Sequence, residues 1–207
     1  MTVPIPTIDD EKSRREIIGL LRGGGVVVLP TDTLYGLSTA VSSPHGVRRI
    51  DELKGLRDRK GYIMLADSVA MVTRYVASFG CLGRPLLERT WPAPLTVVFP
   101  AGSACPDWVG ARVAFRVPAL DALRDIIAGV GEPILSTSVN RSGEPPLDTP
   151  ARIREAFGAR VDAIVAGTKG AAVVASTVVD ATAERPVVLR QGAYDWEAAG
   201  WGNPSKR

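Results

Sequence analysis

Val26-Val27-Val28-Leu29-Pro30-Thr31-Asp32-Thr33-Leu34-Tyr35-Gly36-Leu37 is the stretch on which the architecture turns. Its first four residues are apolar and mostly β-branched, the composition of a strand buried on both faces. Pro30, which has no amide hydrogen to give a ladder, stops the run. Two threonines and an aspartate then stand at the strand's carboxyl end, where open α/β sheets keep their ligand crevice. An Asx or Thr turn that uses Gly36 is the purely local reading of the same residues. Upstream, residues 9–22 predict an amphipathic helix capped by Asp9 or Asp10. Ile17, Ile18, Leu20 and Leu21 form its apolar face, and Gly23-Gly24-Gly25 ends it. Downstream, residues 44–55 predict a second helix with Val47, Ile50 and Leu53 on one side.

The same alternation continues. Strands are expected at 62–66, 95–99, 112–117, 133–137, 162–165, 176–180 and 186–190, and helices at 68–79, 83–90, 119–129 and 150–157. Strands interleaved with helices predict an α/β fold. The close strand spacing near 95–117 and 162–190 argues for a mixed sheet over a purely parallel one.

Bulk properties narrow the function. The 207 residues, 45% apolar and 23% charged, suit one domain spanning 1–207, with a tail after Tyr194 too short for a second. No apolar run nears the ~20 residues that span a bilayer, so no membrane partner is expected. The start is polar and acidic without the apolar core of a signal peptide, and Cys81 and Cys105 stand alone, so a reducing cytoplasm is the expected compartment. Both cysteines read as small buried hydrophobes. A net charge of +3 permits a nucleic-acid partner without requiring one. His45, the single histidine, reads as a solvated loop residue, which argues against a His-rich metal site or a Ser-His-Asp triad. No metal site built from protein side chains alone is expected.

Pro133-Ile134-Leu135-Ser136-Thr137-Ser138-Val139-Asn140-Arg141-Ser142-Gly143-Glu144-Pro145-Pro146 carries the chemistry. A short apolar run breaks into hydroxyls and an amide, groups that bond ligand oxygens without fixed charge; local capping is the alternative use. Lys54-Gly55-Leu56-Arg57-Asp58-Arg59-Lys60-Gly61 packs four cations and two glycines into a loop suited to phosphates, without the spacing of a Walker loop. A solvated charge run is the commoner use of such a segment. Arg112 and Arg116 share one face of a strand, and Arg116, between Phe115 and Val117, needs an anionic partner. That partner is either a ligand carboxylate or an acid of the protein such as Asp180. Ser176-Thr177-Val178-Val179-Asp180 and Leu189-Arg190-Gln191-Gly192 repeat the theme of polar groups at strand ends, and Trp91 is expected in the core. Together these segments point to an anionic small-molecule site working by positioning and charge stabilisation.

Six motifs in order, Pro30–Leu37, Thr90–Thr96, Arg116–Pro118, Ser136–Pro146, Ser176–Asp180 and Leu189–Gly192, resemble the YrdC-like threonylcarbamoyl-AMP synthases over about residues 12–193. The resemblance implies a twisted sheet with a positively charged concave face. It implies a nucleotidyltransferase that converts L-threonine, bicarbonate and ATP into threonylcarbamoyl-AMP and pyrophosphate, with Mg2+ accompanying ATP. The product would feed the machinery that transfers threonylcarbamoyl to tRNA adenosine. Thr33, Arg116, Ser136 and Ser176 would contact threonine. Lys54, Arg57, Lys60, Ser138, Asn140, Pro146 and Arg190 would contact the nucleotide, with Lys54, Lys60, Ser138 and Asn140 the catalytic set. Leu56 stands where the family carries an arginine, with Arg57 one residue late. The chain resembles the short form of the family, without the second domain of longer relatives. The competing readings are an RNA-binding module that holds tRNA or double-stranded RNA on its basic face, and a paralogue handling another carbamoyl adenylate.

Overall fold

A computed structural model of the chain describes residues 6–55, 62–167 and 174–200. Six helices, α1 (Glu11–Arg22), α2 (Pro44–Lys54), α3 (Val69–Thr73), α4 (Arg84–Thr90), α5 (Asp121–Val130) and α6 (Pro150–Phe157), accompany nine strands among these residues. The strands are β1 (Val27–Leu29), β2 (Gly36–Ala40), β3 (Ile63–Leu65), β4 (Leu95–Pro100), β5 (Arg112–Arg116), β6 (Ile134–Ser138), β7 (Ala163–Ile164), β8 (Thr177–Asp180) and β9 (Val187–Arg190). They form one sheet in the order β7-β1-β2-β6-β3-β5-β4-β8-β9. Three pairings are parallel (β1–β7, β3–β5 and β4–β8) and five antiparallel, so the sheet is mixed, as the strand spacing predicts.

Local chemistry explains the helix ends. The Asp10 carboxylate accepts the Ser13 amide at 2.7 Å and caps α1, while Arg22 in the last turn complements the helix dipole. Ser43 caps α2 by accepting the Gly46 amide at 3.0 Å, Pro44 opens it, and Gly55 closes it in the left-handed region at φ 64°. Ile17 and Leu21 turn inward from α1, and Leu123, Ile126, Ile127 and Val130 from α5; these two helices pack on each other. On the strands, Val26 to Leu29, Leu37, Val97, Phe99, Phe115 and Leu135 are fully enclosed. Trp91 is buried as expected, and its indole N–H donates to the Leu95 carbonyl at 2.8 Å.

Four expectations need correction. The segment after Pro30 is a turn only as far as Leu34; Gly36 begins β2, a strand with all five residues buried. The helix expected at 68–79 is the short α3, followed by a turn of 3-10 helix at Gly80–Leu82. His45 is exposed, but it lies in the first turn of α2 and not in a loop. Cys81 is exposed, and Cys105 is half-buried with its thiol donating to the Tyr75 carbonyl at 3.0 Å.

Candidate functional site

The strand order brings distant chain segments to one place. β2 and β6 run antiparallel with Gly36 opposite Ser138 and Ser38 opposite Ser136. Val97 of β4 faces Phe115 of β5, which sets Arg116 beside Thr96. Thr96 in turn pairs with Val178 of β8, and Val178 with Arg190 of β9. The turn after β1, the carboxyl ends of β5, β6 and β9, and the entry to β8 therefore meet around one cavity of about 200 Å3. Thr33, Arg116, Ser136, Ser138, Ser176 and Arg190 line it, with Pro146 and the apolar side chains of Leu34, Tyr35 and Ile63. The volume is below the ~300–1,000 Å3 typical of pockets for drug-sized ligands, so a ligand the size of an amino acid suits it.

Arg116 is the electrostatic centre. Its side chain is almost fully buried, with Nη1 donating to Thr33 Oγ1 at 2.8 Å and Nη2 to Thr31 Oγ1 at 3.2 Å. Its acidic neighbour is Asp32, 3.5 Å from Nη2, while the other Asp32 oxygen accepts the Ala119 amide at 3.0 Å. Asp180, the acid considered from sequence, instead pairs with Arg112 at 3.1 Å. The two arginines of β5 thus part company: Arg112 is exposed at the strand's start, and Arg116 is enclosed at its end. Burial pulls the Arg116 pKa below the usual guanidinium value; Arg190 adds to the fall and Asp32 opposes it. Arg116 Nε has no hydrogen-bond partner among the described residues and remains an open donor.

A second cation, Arg190, donates from Nε and Nη2 to the Ser176 carbonyl at 3.1 and 2.9 Å, and from Nη2 to the Ser176 hydroxyl at 3.3 Å. Burial lowers its pKa as well. Among the described residues the cavity wall therefore carries two guanidiniums, several hydroxyls and no carboxylate, a composition that suits a carboxylate ligand.

Lys54, Ser138 and Asn140 form a closed network. The Lys54 ammonium donates to the Ser138 carbonyl at 2.9 Å, the Asn140 carbonyl at 3.1 Å and Asn140 Oδ1 at 3.0 Å. The Ser138 hydroxyl donates to the same Oδ1 at 2.6 Å, and Asn140 Nδ2 donates to the carbonyls of Arg141 and Glu144 at 2.9 and 2.7 Å. Lys54 is buried and pairs with no acid among the described residues, and that burial lowers its pKa to about 8. In this arrangement Lys54 holds the loop after β6 against the end of α2, a tie reinforced by the Ser142 amide donating to the Lys54 carbonyl at 2.9 Å. Leu56, Arg57 and Lys60 lie outside the described residues.

Three contributors were not singled out from sequence. Ser38, fully buried, donates to Ser136 Oγ at 3.4 Å. Thr96, also fully buried, lies 2.8 Å from Ser176 Oγ. Gly36 leaves room for Ser136, because a Cβ there would stand 2.3 Å from its hydroxyl. The one available signal was the hydroxyl at Ser38 beside apolar Leu37, in keeping with a strand's period of two.

The model of the Sua5/YciO/YrdC family, described as telomere recombination, matches residues 19–192. The chain belongs to this family. Its relatives in the family include proteins named threonylcarbamoyl-AMP synthase. That of Thiobacillus denitrificans is 37% identical over 163 residues, covering 77% of this chain and 86% of the relative. That of Nitrosococcus oceani is 34% identical over 154 residues, covering 73% and 83%. Among solved structures of the Sua5/YciO/YrdC family, Pyrococcus abyssi Sua5 complexed with L-threonine matches with a TM-score of 0.87 at 30% identity, over 96% of this chain. This chain spans 60% of that longer protein. Escherichia coli YciO matches with a TM-score of 0.84 at 24% identity, covering 93% of this chain and 95% of its own, a likeness of fold. The twisted mixed sheet is thus the family's fold.

Proposed function

We propose that this chain is a threonylcarbamoyl-AMP synthase. L-Threonine, bicarbonate and ATP become threonylcarbamoyl-AMP, pyrophosphate and water, and the carbamoyl adenylate supplies tRNA threonylcarbamoyladenosine modification. The observation that carries the reading is the amino-acid-sized cavity with Arg116 and Arg190 on its wall and no acid among the described residues lining it. The names of its relatives and the threonine complex of P. abyssi Sua5 support it.

On this reading Arg116 grips the threonine carboxylate, with Thr33, Ser136 and Ser176 adding hydroxyl contacts. The nucleotide lies on the side of Ser138, Pro146 and Arg190, with Asn140, Lys54, Arg57 and Lys60 completing its surroundings. Lys54 reaches a phosphate only by releasing one of its three acceptors, so its part in the assembled loop comes first. Mg2+ arrives as part of the ATP substrate; among the described residues no cluster of three or more His, Cys, Asp or Glu is placed to hold an ion. The positive charge of the concave face serves the anionic substrates and gives tRNA or double-stranded RNA a surface. The compartment is the cytoplasm; no helix among the described residues is long and apolar enough to cross a membrane.

Pyrophosphate release tests the proposal. Release that requires ATP, L-threonine and bicarbonate together supports it. ATP turnover indifferent to threonine, or no turnover in a folded preparation, rejects it.

A further inference from the structure

Three wall hydroxyls of the cavity, those of Thr33, Ser136 and Ser176, each have a second hydroxyl beside them. Thr31 lies 3.0 Å from Thr33, Ser38 lies 3.4 Å from Ser136, and Thr96 lies 2.8 Å from Ser176. Ser38 and Thr96 have 0% exposure and do not reach the cavity themselves. A hydroxyl owns one hydrogen and two lone pairs, and a buried hydrogen without an acceptor is costly. That rule settles which way each pair points.

Ser38 donates to Ser136 Oγ and makes no other side-chain hydrogen bond among the described residues. The Ser136 hydrogen is therefore left for the cavity. Thr96 likewise has Ser176 Oγ as its side-chain partner, so its buried hydrogen goes there. Arg190 Nη2 donates to that same oxygen at 3.3 Å. With its lone pairs engaged by Thr96 and Arg190, Ser176 turns its own hydrogen outward. Thr31 donates to the Leu34 carbonyl at 2.7 Å and accepts from the Thr33 amide and from Arg116, which leaves the Thr33 hydrogen free as well.

We propose that Ser38 and Thr96 are positioning residues: each donates to the wall hydroxyl in front of it and so makes Ser136 and Ser176 donors aimed at oxygens of the bound amino acid. With Arg116 and Arg190, the polar side chains at this end of the cavity then present hydrogens to the ligand. Such a wall favours a carboxylate or carbonyl and offers an ammonium no acceptor. The inference rests on the reading that the cavity holds threonine.

The test is calorimetric titration of L-threonine into the full chain and three variants, with melting temperatures taken without ligand. Thr96→Val keeps the volume and removes the donor; Thr96→Ser keeps the donor and removes the methyl. Positioning predicts that Thr96→Val weakens threonine binding roughly 3- to 10-fold, while Thr96→Ser stays within about 2-fold of wild type. Ser38→Ala should weaken binding to a similar extent, with a melting temperature near that of the parent. A packing role predicts the reverse order at position 96, with serine the worse residue, and that order overturns the inference. So does wild-type affinity in both Thr96→Val and Ser38→Ala. If Thr96→Val does not fold, Ser38→Ala decides alone, since it removes a single oxygen. A folded wild-type chain that binds no threonine rejects the functional reading itself, and the inference falls with it. That outcome is distinct from a wild type that binds and variants that bind equally well.

Discussion

Gly36 and Ser136, a hundred residues apart in the chain, share one site: the Cβ that Gly36 lacks would stand 2.3 Å from the Ser136 hydroxyl. Strand pairing creates this closeness, since Gly36 of β2 lies opposite Ser138 of β6, two residues from Ser136. Gly36→Ala therefore pushes on a rotatable hydroxymethyl and not on backbone. The fold should tolerate it, with a melting temperature a few degrees lower, while Ser136 Oγ leaves its place on the cavity wall. Threonine binding should weaken about 10-fold, the effect of losing roughly one hydrogen bond at the strong end of its range. Adding Ser136→Ala to Gly36→Ala should restore the melting temperature and leave the affinity low. Full affinity in the single variant would remove Ser136 from the site.

Arg116→Lys should be damaging although it keeps the charge. Lysine lacks the planar fork that reaches Thr31 and Thr33 together and leaves Nε open to a ligand. A lost charge-assisted contact of about 1.5–3 kcal/mol corresponds to a 10- to 100-fold loss of threonine affinity. Stability should fall too, because Asp32 keeps its buried oxygen beside a poorly placed cation. Titration calorimetry and thermal unfolding read the two effects separately; a lower melting temperature with unchanged threonine affinity would make Arg116 purely structural.

Lys54 makes stability depend on pH in a stated direction. Burial lowers its pKa from 10.5 to about 8 in the folded chain, so between those values the unfolded chain binds more protons. Stability contributed at this position is then lowest below pH 8 and rises as pH climbs from 8 towards 10.5. The full span is at most about 3 kcal/mol, less what the three acceptors return to the ammonium. Lys54→Met lacks this titration. The melting temperature of wild type minus that of Lys54→Met should therefore increase between pH 7.5 and pH 10. A difference independent of pH across that window would contradict a buried, titrating Lys54.

Ser138→Ala removes the hydroxyl that holds Asn140 Oδ1 at 2.6 Å and leaves that oxygen to Lys54. The loop after β6 should loosen on its nucleotide side, while Thr33, Arg116 and Ser176 keep their places. Turnover in pyrophosphate release should drop roughly 5- to 10-fold, with the threonine KM within about 2-fold of wild type, because positioning of this kind acts in the transition state. A raised threonine KM at unchanged turnover would assign Ser138 to the amino acid instead.

Much of the sheet is legible in the sequence. Val26–Leu29 and Leu95–Phe99 are mostly apolar, β-branched runs closed by Pro30 and Pro100, Val113–Phe115 is a shorter one between two arginines with Pro118 just beyond, and such punctuation acts within a few residues. β2 was not legible. Gly36-Leu37-Ser38-Thr39-Ala40 has one large apolar residue and opens on glycine, so it reads as a turn. It is a strand because β1 and β6 enclose it on either side, which is tertiary context overriding local preference. Cys81 failed for the related reason that burial belongs to the packed fold and not to the residue type.

The sequence by itself determined which polar residue types stand in or beside the strands: Thr33, Ser136, Ser176, Arg116 and Arg190 each follow or flank an apolar run. Ordered motifs of that kind were also enough to indicate the family. Tertiary structure alone decided who meets whom. That Arg116 sits beside Asp32 and not Asp180, that Ser38 backs Ser136, that Thr96 backs Ser176 and that Lys54 closes on Asn140 all follow from the order β7-β1-β2-β6-β3-β5-β4-β8-β9. Strand order is set by how the whole chain buries its apolar surface at once, and hydroxyl groups, which contribute little to that burial, leave no local trace of their partners.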